Sequence, residues 1–282
     1  MTSFPTSLGT STADEIRLLG QDLTADLMGK VGFGELAFWL VALRRPTPSE
    51  TRLFEAVLVA LADHGFTPTA IAARLTYLSA PDSLQGALAA GLLGGGSRFL
   101  GVTEDCGIFL DEALARRDLP TDEALAGREL PSDEARAGRG LPTDEDGWDA
   151  LALEVVREAK AAGRYVPGLG HPVHKVQDPR TPVLIGIATE EGLLGPHLQL
   201  FQAIGRTHEQ VLGRKLPLNG AGVCGAALAD LGLPVELLRG FALLARAAGL
   251  LGQLAEERRR PIGMDTYLTV DRNAVYVDPT QT

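Results

Sequence analysis

A mostly α-helical chain in two domains is what this sequence predicts, on three observations. Apolar residues recur three and four positions apart along most of the 282 residues, the period of a helix that buries one stripe. Short breaks rich in Pro, Gly, Ser and Thr separate these stretches, as between packed helices. Strict apolar–polar alternation, the mark of a half-buried strand, is scarce. With 45% hydrophobic residues, a chain of this length can bury a substantial core in one large domain or two.

Residues 1–12 are rich in Ser, Thr, Pro and Gly and are expected to be poorly ordered until they dock. Residues 34–43 read as a short apolar helix. Pro46, Thr47, Pro48 and Ser49 form a stop and then a start, with Ser49 as N-cap of a helix carrying Leu53, Phe54, Val57, Leu58 and Leu61. The break at 65–68 opens a helix over 69–78, and Pro81-Asp82-Ser83 opens one over 84–93. The glycine run Gly94-Gly95-Gly96 lacks the lysine of a phosphate-binding loop and the preceding strand of a dinucleotide fingerprint; it suits close backbone approach or a hinge.

Three units of period eleven follow, Asp118-LPTDEALAGR, Glu129-LPSDEARAGR and Gly140-LPTDED. Each has one proline and few large apolar residues, so 118–146 reads as a disordered or loosely helical acidic insertion. Helical patterning resumes from Trp148 to Ala162 and again over 181–191, 198–212, 223–231 and 235–257. The last two are apolar nearly all round, which suits burial or a subunit interface. Residues 267–279 alternate enough for a short strand or extended tail.

Composition excludes several function classes. The formal charge of −10 disfavours nucleic acid, since the protein's field repels phosphates; 118–146 alone holds nine acidic and three basic residues. No apolar run approaches the ~20 residues of a membrane span, and the N-terminus lacks a signal-peptide pattern. Cys106 and Cys224 are the two cysteines, without a CxxC pair or a His/Cys cluster at ligand spacing, so neither a disulfide framework nor a metal site is expected and the cytoplasm is the expected compartment.

The chemistry-bearing stretch is Gly168-Leu169-Gly170-His171-Pro172-Val173-His174-Lys175, followed by Asp178-Pro179-Arg180. Two imidazoles, an ammonium, a carboxylate and a guanidinium on a tight Gly/Pro loop suit a small oxo- or hydroxy-acid, because imidazole donates to a carbonyl and guanidinium grips a carboxylate bidentately.

These residues resemble the citrate synthase superfamily, in which GHRVYK precedes DPR. Three further segments match in order: Ala62-Asp63-His64-Gly65 with Pro68, Thr69 and Arg74; Leu218-Asn219-Gly220-Ala221-Gly222 with Leu231-Gly232-Leu233-Pro234; and Arg246, Gly249, Glu256, Arg260 and Pro261. The resemblance covers nearly the whole chain apart from the acidic repeat. Within the superfamily it is closest to citryl-CoA lyases and the lyase module of ATP-citrate lyase. Synthases carry a histidine in GPLHGG where the lyase branch reads GDRFGG, and this chain has Gly96-Ser97-Arg98-Phe99-Leu100-Gly101.

The resemblance implies an all-α, two-domain fold, with 1–100 and 233–282 as the large domain and 101–232 as the small one. It implies an enzyme that makes or cleaves the C–C bond between an acetyl-CoA-type thioester and oxaloacetate or a related 2-oxo acid. Coenzyme A thioester and a di- or tricarboxylate are then substrates, without a covalently bound cofactor, and the chain is a homodimer. His171 polarises the keto oxygen, His64, Arg180 and Arg246 contact substrate carboxylates, and Arg260 reaches a neighbouring subunit's site. One departure bears on catalysis: the family's catalytic aspartate falls on Ala221. His174 is the nearest substitute base, and a CoA- and dicarboxylate-binding regulatory protein with impaired catalysis is the alternative reading.

Overall fold

The computed structural model describes residues 3–115, 140–171 and 174–281. The described chain is dominated by α-helices, and none is long and apolar enough to cross a membrane. It divides into two compact, discontinuous units: Met1–Ala60 with Val102–Leu238, and Leu61–Gly101 with Arg239–Thr282. Residues 1–60 thus cluster with the central segment, not with the C-terminal one.

The first unit begins with a small antiparallel sheet of β1 (Gly9–Ser11), β2 (Ile16–Leu18) and β3 (Gln21–Asp22). Its register pairs Gly9 with Leu18 and Arg17 with Asp22. Polar residues 9–11 are ordered because strand pairing needs only backbone groups; Leu19 N–H, for example, donates to the Leu8 carbonyl at 2.7 Å. Leu19 and Gly20 turn between β2 and β3 at positive φ, 53° and 76°, the geometry of a two-residue hairpin.

Helix α1 (Phe33–Ala42) and helix α2 (Pro48–Ala62) follow. The cap of α2 is Thr47, not Ser49: Glu50 N–H donates to Thr47 Oγ1 at 3.2 Å while Thr47 N–H donates to Glu50 Oε2 at 2.7 Å. This reciprocal capping box satisfies two donors at once, which a serine two residues later could not do. Helices α5 (Val102–Ala115), α6 (Glu145–Ala161), α7 (Arg180–Glu190), α8 (Pro196–Leu212) and α9 (Gly220–Asp230) complete the unit. Helix α6 packs on α8, and α9 packs on α5, α7 and α8. The approach of α9 to α5 depends on Gly225, where a Cβ would overlap the Thr103 carbonyl. Residues Val223 to Ala229 are buried, so burial inside its own unit accounts for the apolarity of α9.

Most of the acidic repeat lies outside the described residues, but its last part is ordered. Leu141 is buried, and Asp144 caps α6 by accepting from Gly147 N–H at 2.8 Å. Glu145 and Asp146 occupy the first turn, where acidic side chains complement the helix dipole. The expectation of a disordered or loosely helical insertion over 118–146 therefore does not hold for 140–146, where Leu141 is buried and Asp144 caps an ordered helix.

The second unit holds α3 (Pro68–Ser79), α4 (Leu84–Leu93), α10 (Leu238–Arg259) and α11 (Gly263–Arg272); the unit boundaries fall near the ends of α2 and the start of α10. Its core gathers Ala70, Ala73, Ala87, Leu250 and Leu254. Helix α11 packs on α3 where a strand or tail was expected from residue 267. The helix wins because Glu257 accepts the backbone N–H groups of Ile262 and Gly263 and so starts the next turn. Residues 274–278 have no regular secondary structure.

Candidate functional site

The Gly168–Arg180 loop is held to the start of α9 by backbone pairing. Asn219 N–H donates to the Gly168 carbonyl and Gly170 N–H to the Pro217 carbonyl, both at 2.8 Å. Asn219 also donates through Nδ2 to the Gly170 carbonyl at 2.8 Å, and its Oδ1 accepts from Gly222 N–H to cap α9. Gly168 and Gly170 sit at φ of 85° and 86°, a conformation costly for other residues. A Cβ on Gly168 would also press on the Phe201 ring.

Asp178 locks the other end of the loop. Its side chain is fully buried and accepts from Arg180 Nε at 3.0 Å, Arg180 Nη2 at 2.7 Å and the Gly220 N–H at 2.7 Å. Burial would raise this carboxyl, but the Arg180 guanidinium and the Gly220 and Arg180 N–H groups outweigh it and hold it well below the usual carboxylate range. Arg180 Nη1 donates to the Ala60 carbonyl at 3.1 Å. The arginine expected to clamp a substrate is thus engaged with its own chain, with about a fifth of its side chain exposed. Gly220 must lack a side chain, since a Cβ would overlap the guanidinium.

His171 and His174 come together on this loop, their ring centroids 4.4 Å apart. His174 N–H donates to His171 Nδ1 at 2.9 Å. In the neutral ring the proton then resides on Nε2, a tautomer assigned from the hydrogen-bond network. His171 Nε2 lies 4.0 Å from Asp178 Oδ2, and Lys175 Nζ donates to the His171 carbonyl at 3.1 Å. An imidazole with its proton on Nε2 donates to an oxygen and can polarise a carbonyl. Ala221 occupies the first turn of α9 and brings no ionisable group. Cys224 is fully buried, and burial pushes its thiol up to about 12, which leaves it an inert core residue.

In the second unit the segment around His64 is shaped by α10. Arg246 is buried and donates from Nε and Nη2 to the Leu61 carbonyl at 3.3 and 3.2 Å. Gln253 Nε2 donates to Asp63 Oδ1 at 3.0 Å, while Asp63 Oδ2 accepts from Gly65 N–H at 2.9 Å. A Cβ at Gly249 would overlap the Ala62 carbonyl oxygen. His64 is half-buried in this turn. Arg74 is buried and bonded to Gln253, Glu256 and Glu257, a structural network. Arg260 is exposed at the end of α10.

The sequence motifs include Asp178 and Asn219 but do not reveal that these two organise the loop. Their signals were the Asp-x-Arg spacing that lets one carboxylate take a guanidinium fork, and an Asn directly before a Gly-rich helix start.

A helical chain whose Gly-x-Gly-His loop and Asp-Pro-Arg lock sit against a glycine-rich helix start agrees with the citrate synthase motifs, and the chain belongs to the citrate synthase family. The family model for "Citrate synthase, C-terminal domain" matches residues 20–263. Among solved structures it is similar to citryl-CoA lyase from Hydrogenobacter thermophilus, with 27% identity and a TM-score of 0.78 over 98% of this chain and 94% of that one. It shares the fold of Methanothrix soehngenii ATP citrate lyase, solved with citrate and coenzyme A, with 23% identity and a TM-score of 0.74 over 99% of this chain and 42% of that one. A "Probable ATP-citrate synthase" of Caenorhabditis elegans is 22% identical over 93% of this chain, which spans 22% of that protein's length.

Proposed function

We propose that the chain makes or cleaves the C–C bond between an acetyl-CoA-type thioester and oxaloacetate or a closely related 2-oxo acid. The observation that carries this reading is His171: its Nδ1 accepts from His174 N–H, so Nε2 supplies a proton-bearing donor on a loop locked by Asp178. In cleavage, a base removes the proton from the substrate's hydroxyl. The C–C bonding pair moves onto the thioester as an enolate, which takes up a proton, and the former carbinol carbon becomes the keto group. His171 hydrogen-bonds that oxygen as it changes from hydroxyl to carbonyl. Condensation runs the same path in reverse.

His174 is the proposed base where Ala221 offers none. His64, Arg180, Arg246 and Arg260 are the proposed contacts to the dicarboxylate, with Arg260 serving a neighbouring subunit. The reading includes a homodimer, which light scattering at micromolar concentration tests, and a cytoplasmic setting. The domain division carried by the proposal, 1–100 with 233–282 against 101–232, differs from the two compact units chiefly in where it places residues 1–60. The deciding experiment incubates the pure chain with citryl-CoA, and separately with acetyl-CoA and oxaloacetate, while thioester and oxaloacetate are followed. Loss of citryl-CoA matched by oxaloacetate, or its reverse, supports the reading. Tight binding of both ligands without turnover marks a regulatory binder, and no binding of either overturns it.

A further inference from the structure

His208 is a buried titratable group that the proposed reaction leaves unused. It lies near the C-terminal end of α8 and is 1% exposed. Both ring nitrogens are engaged. Nδ1 meets the Ile204 carbonyl at 2.9 Å, and Nε2 meets the Leu216 N–H at 2.9 Å. A carbonyl only accepts and an amide only donates, so the proton resides on Nδ1 and Nε2 offers its lone pair, a tautomer assigned from the two partners. The ring is thus a neutral acceptor for a backbone amide. Gly213 ends α8 at φ of 69°, residues 213–215 are exposed, and the chain re-enters the unit at Leu216. His208 fastens it at that point.

The residues after Leu216 support the His171 loop. The Pro217 carbonyl accepts from Gly170 N–H, and Asn219 N–H donates to the Gly168 carbonyl, both at 2.8 Å. Between them Leu218 pairs with Leu169 in an antiparallel bridge. Leu218 also seats on α8 where a Cβ at Gly205 would overlap it, and its carbonyl accepts from Thr181 Oγ1 at 3.1 Å. Gly170 has no side chain of its own to anchor, so backbone partners set its place. The segment 216–219 is pinned at one end by Asn219, which caps α9, and at the other by His208. A displacement at Leu216 passes through one peptide unit to the partner of Gly170, the residue before His171.

We propose that His208 is a positioning residue: through Leu216 and Pro217 it sets where Gly170 lies and hence the direction in which His171 presents Nε2. It touches no substrate. The proposal rests on the reading of His171 as the donor to the reacting oxygen, since a donor displaced by about 1 Å loses on the order of 10²-fold in rate.

The test compares two substitutions in the full chain. His208→Leu fills nearly the same volume and offers Leu216 no acceptor, whereas His208→Gln places its side-chain oxygen where Nε2 was. A role in filling space alone predicts that both behave as wild type. In His208→Leu, hydrogen exchange at the Leu216 and Gly170 amides should quicken about tenfold or more while the amides of α2 exchange as before. The ring nitrogen resonances of His171 should move, and kcat/KM on citryl-CoA should fall about tenfold or more. His208→Gln should bring all three back to within about threefold of wild type or to its resonance positions. His208→Met serves if His208→Leu does not fold. Unchanged Gly170 exchange and His171 resonances in His208→Leu overturn the proposal, as does a His208→Gln variant impaired as much as His208→Leu. If wild type neither binds nor converts citryl-CoA, the reaction reading fails, and exchange and resonances alone decide whether His208 places His171.

Discussion

Changing Asp178 to Asn tests whether the Asp178–Arg180 pair is what shapes the loop. The substitution keeps the side chain's shape but removes the charge and turns one acceptor into an amide donor facing donors. Asp178 is fully buried and takes the Arg180 Nε and Nη2 bonds and the Gly220 N–H. Breaking a buried pair by removing one partner costs ~3–5 kcal/mol. Arg180 is about a fifth exposed and regains some water, so the expected loss is at the lower end, about 3 kcal/mol. Urea unfolding at neutral pH, with an unchanged slope, measures it; hydrogen exchange at the Gly220 amide reports the local part. The sign with pH is fixed, because the folded carboxyl is held below its unfolded value. The stabilisation is complete above the unfolded value and is lost as pH falls toward the folded one, so wild type and variant converge in strong acid. Adding Arg180→Met to the variant should recover part of the loss, since the stranded guanidinium is then gone. A loss below about 1 kcal/mol with Gly220 exchange unchanged would refute the role given to this pair.

Three other outcomes follow from the geometry. Buried His197 bonds Asp230 Oδ1 at 2.9 Å and Asp111 Oδ1 at 3.4 Å; burial would lower its pKa, but the two carboxylates outweigh this and raise it to about 9. Its contribution is therefore full below the ordinary histidine value and fades as pH rises through about 9, and the stability of His197→Gln, followed by urea unfolding against pH, should lack that decline. Gly249→Ala should cost more than ~2 kcal/mol in the same assay, because its Cβ would overlap the Ala62 carbonyl oxygen. Ala221→Asp places a carboxylate in the first turn of α9, where the helix dipole favours it; the fold should be kept, and turnover on citryl-CoA should rise by ~10²–10⁴ if a base is what the wild type lacks.

The helices were legible in the sequence because their apolar stripes follow one period, and 84–93 coincides with α4 from end to end. Errors fell where a polar residue had two local uses. Ser49 and Thr47 both fit a cap by type, and only the reciprocal bond with Glu50 chooses between them. Asp144, Glu145 and Asp146 read as acidic repeat until Asp144 is seen to cap α6. Residues 9–11 carry no apolar signal at all, and their order comes from backbone pairing that composition does not reveal.

The site divides along the same line between residue type and partner. Motif spacing located His171, Asp178 and Arg180 on one loop, but the sequence gives no sign of which way a guanidinium faces. Arg180 was read as a substrate clamp, whereas its Nε, Nη1 and Nη2 all donate within the chain. The same arginine in solvent would pay rotamer entropy on meeting a ligand; held by Asp178 it is already fixed, so any remaining donor it offers is pre-organised. A carboxylate that binds here therefore meets a guanidinium already partly neutralised by Asp178. In the proposed reading the paired imidazoles of His171 and His174 complete the site, so substitutions there should move substrate binding and turnover together, whereas Ala221→Asp should move turnover alone.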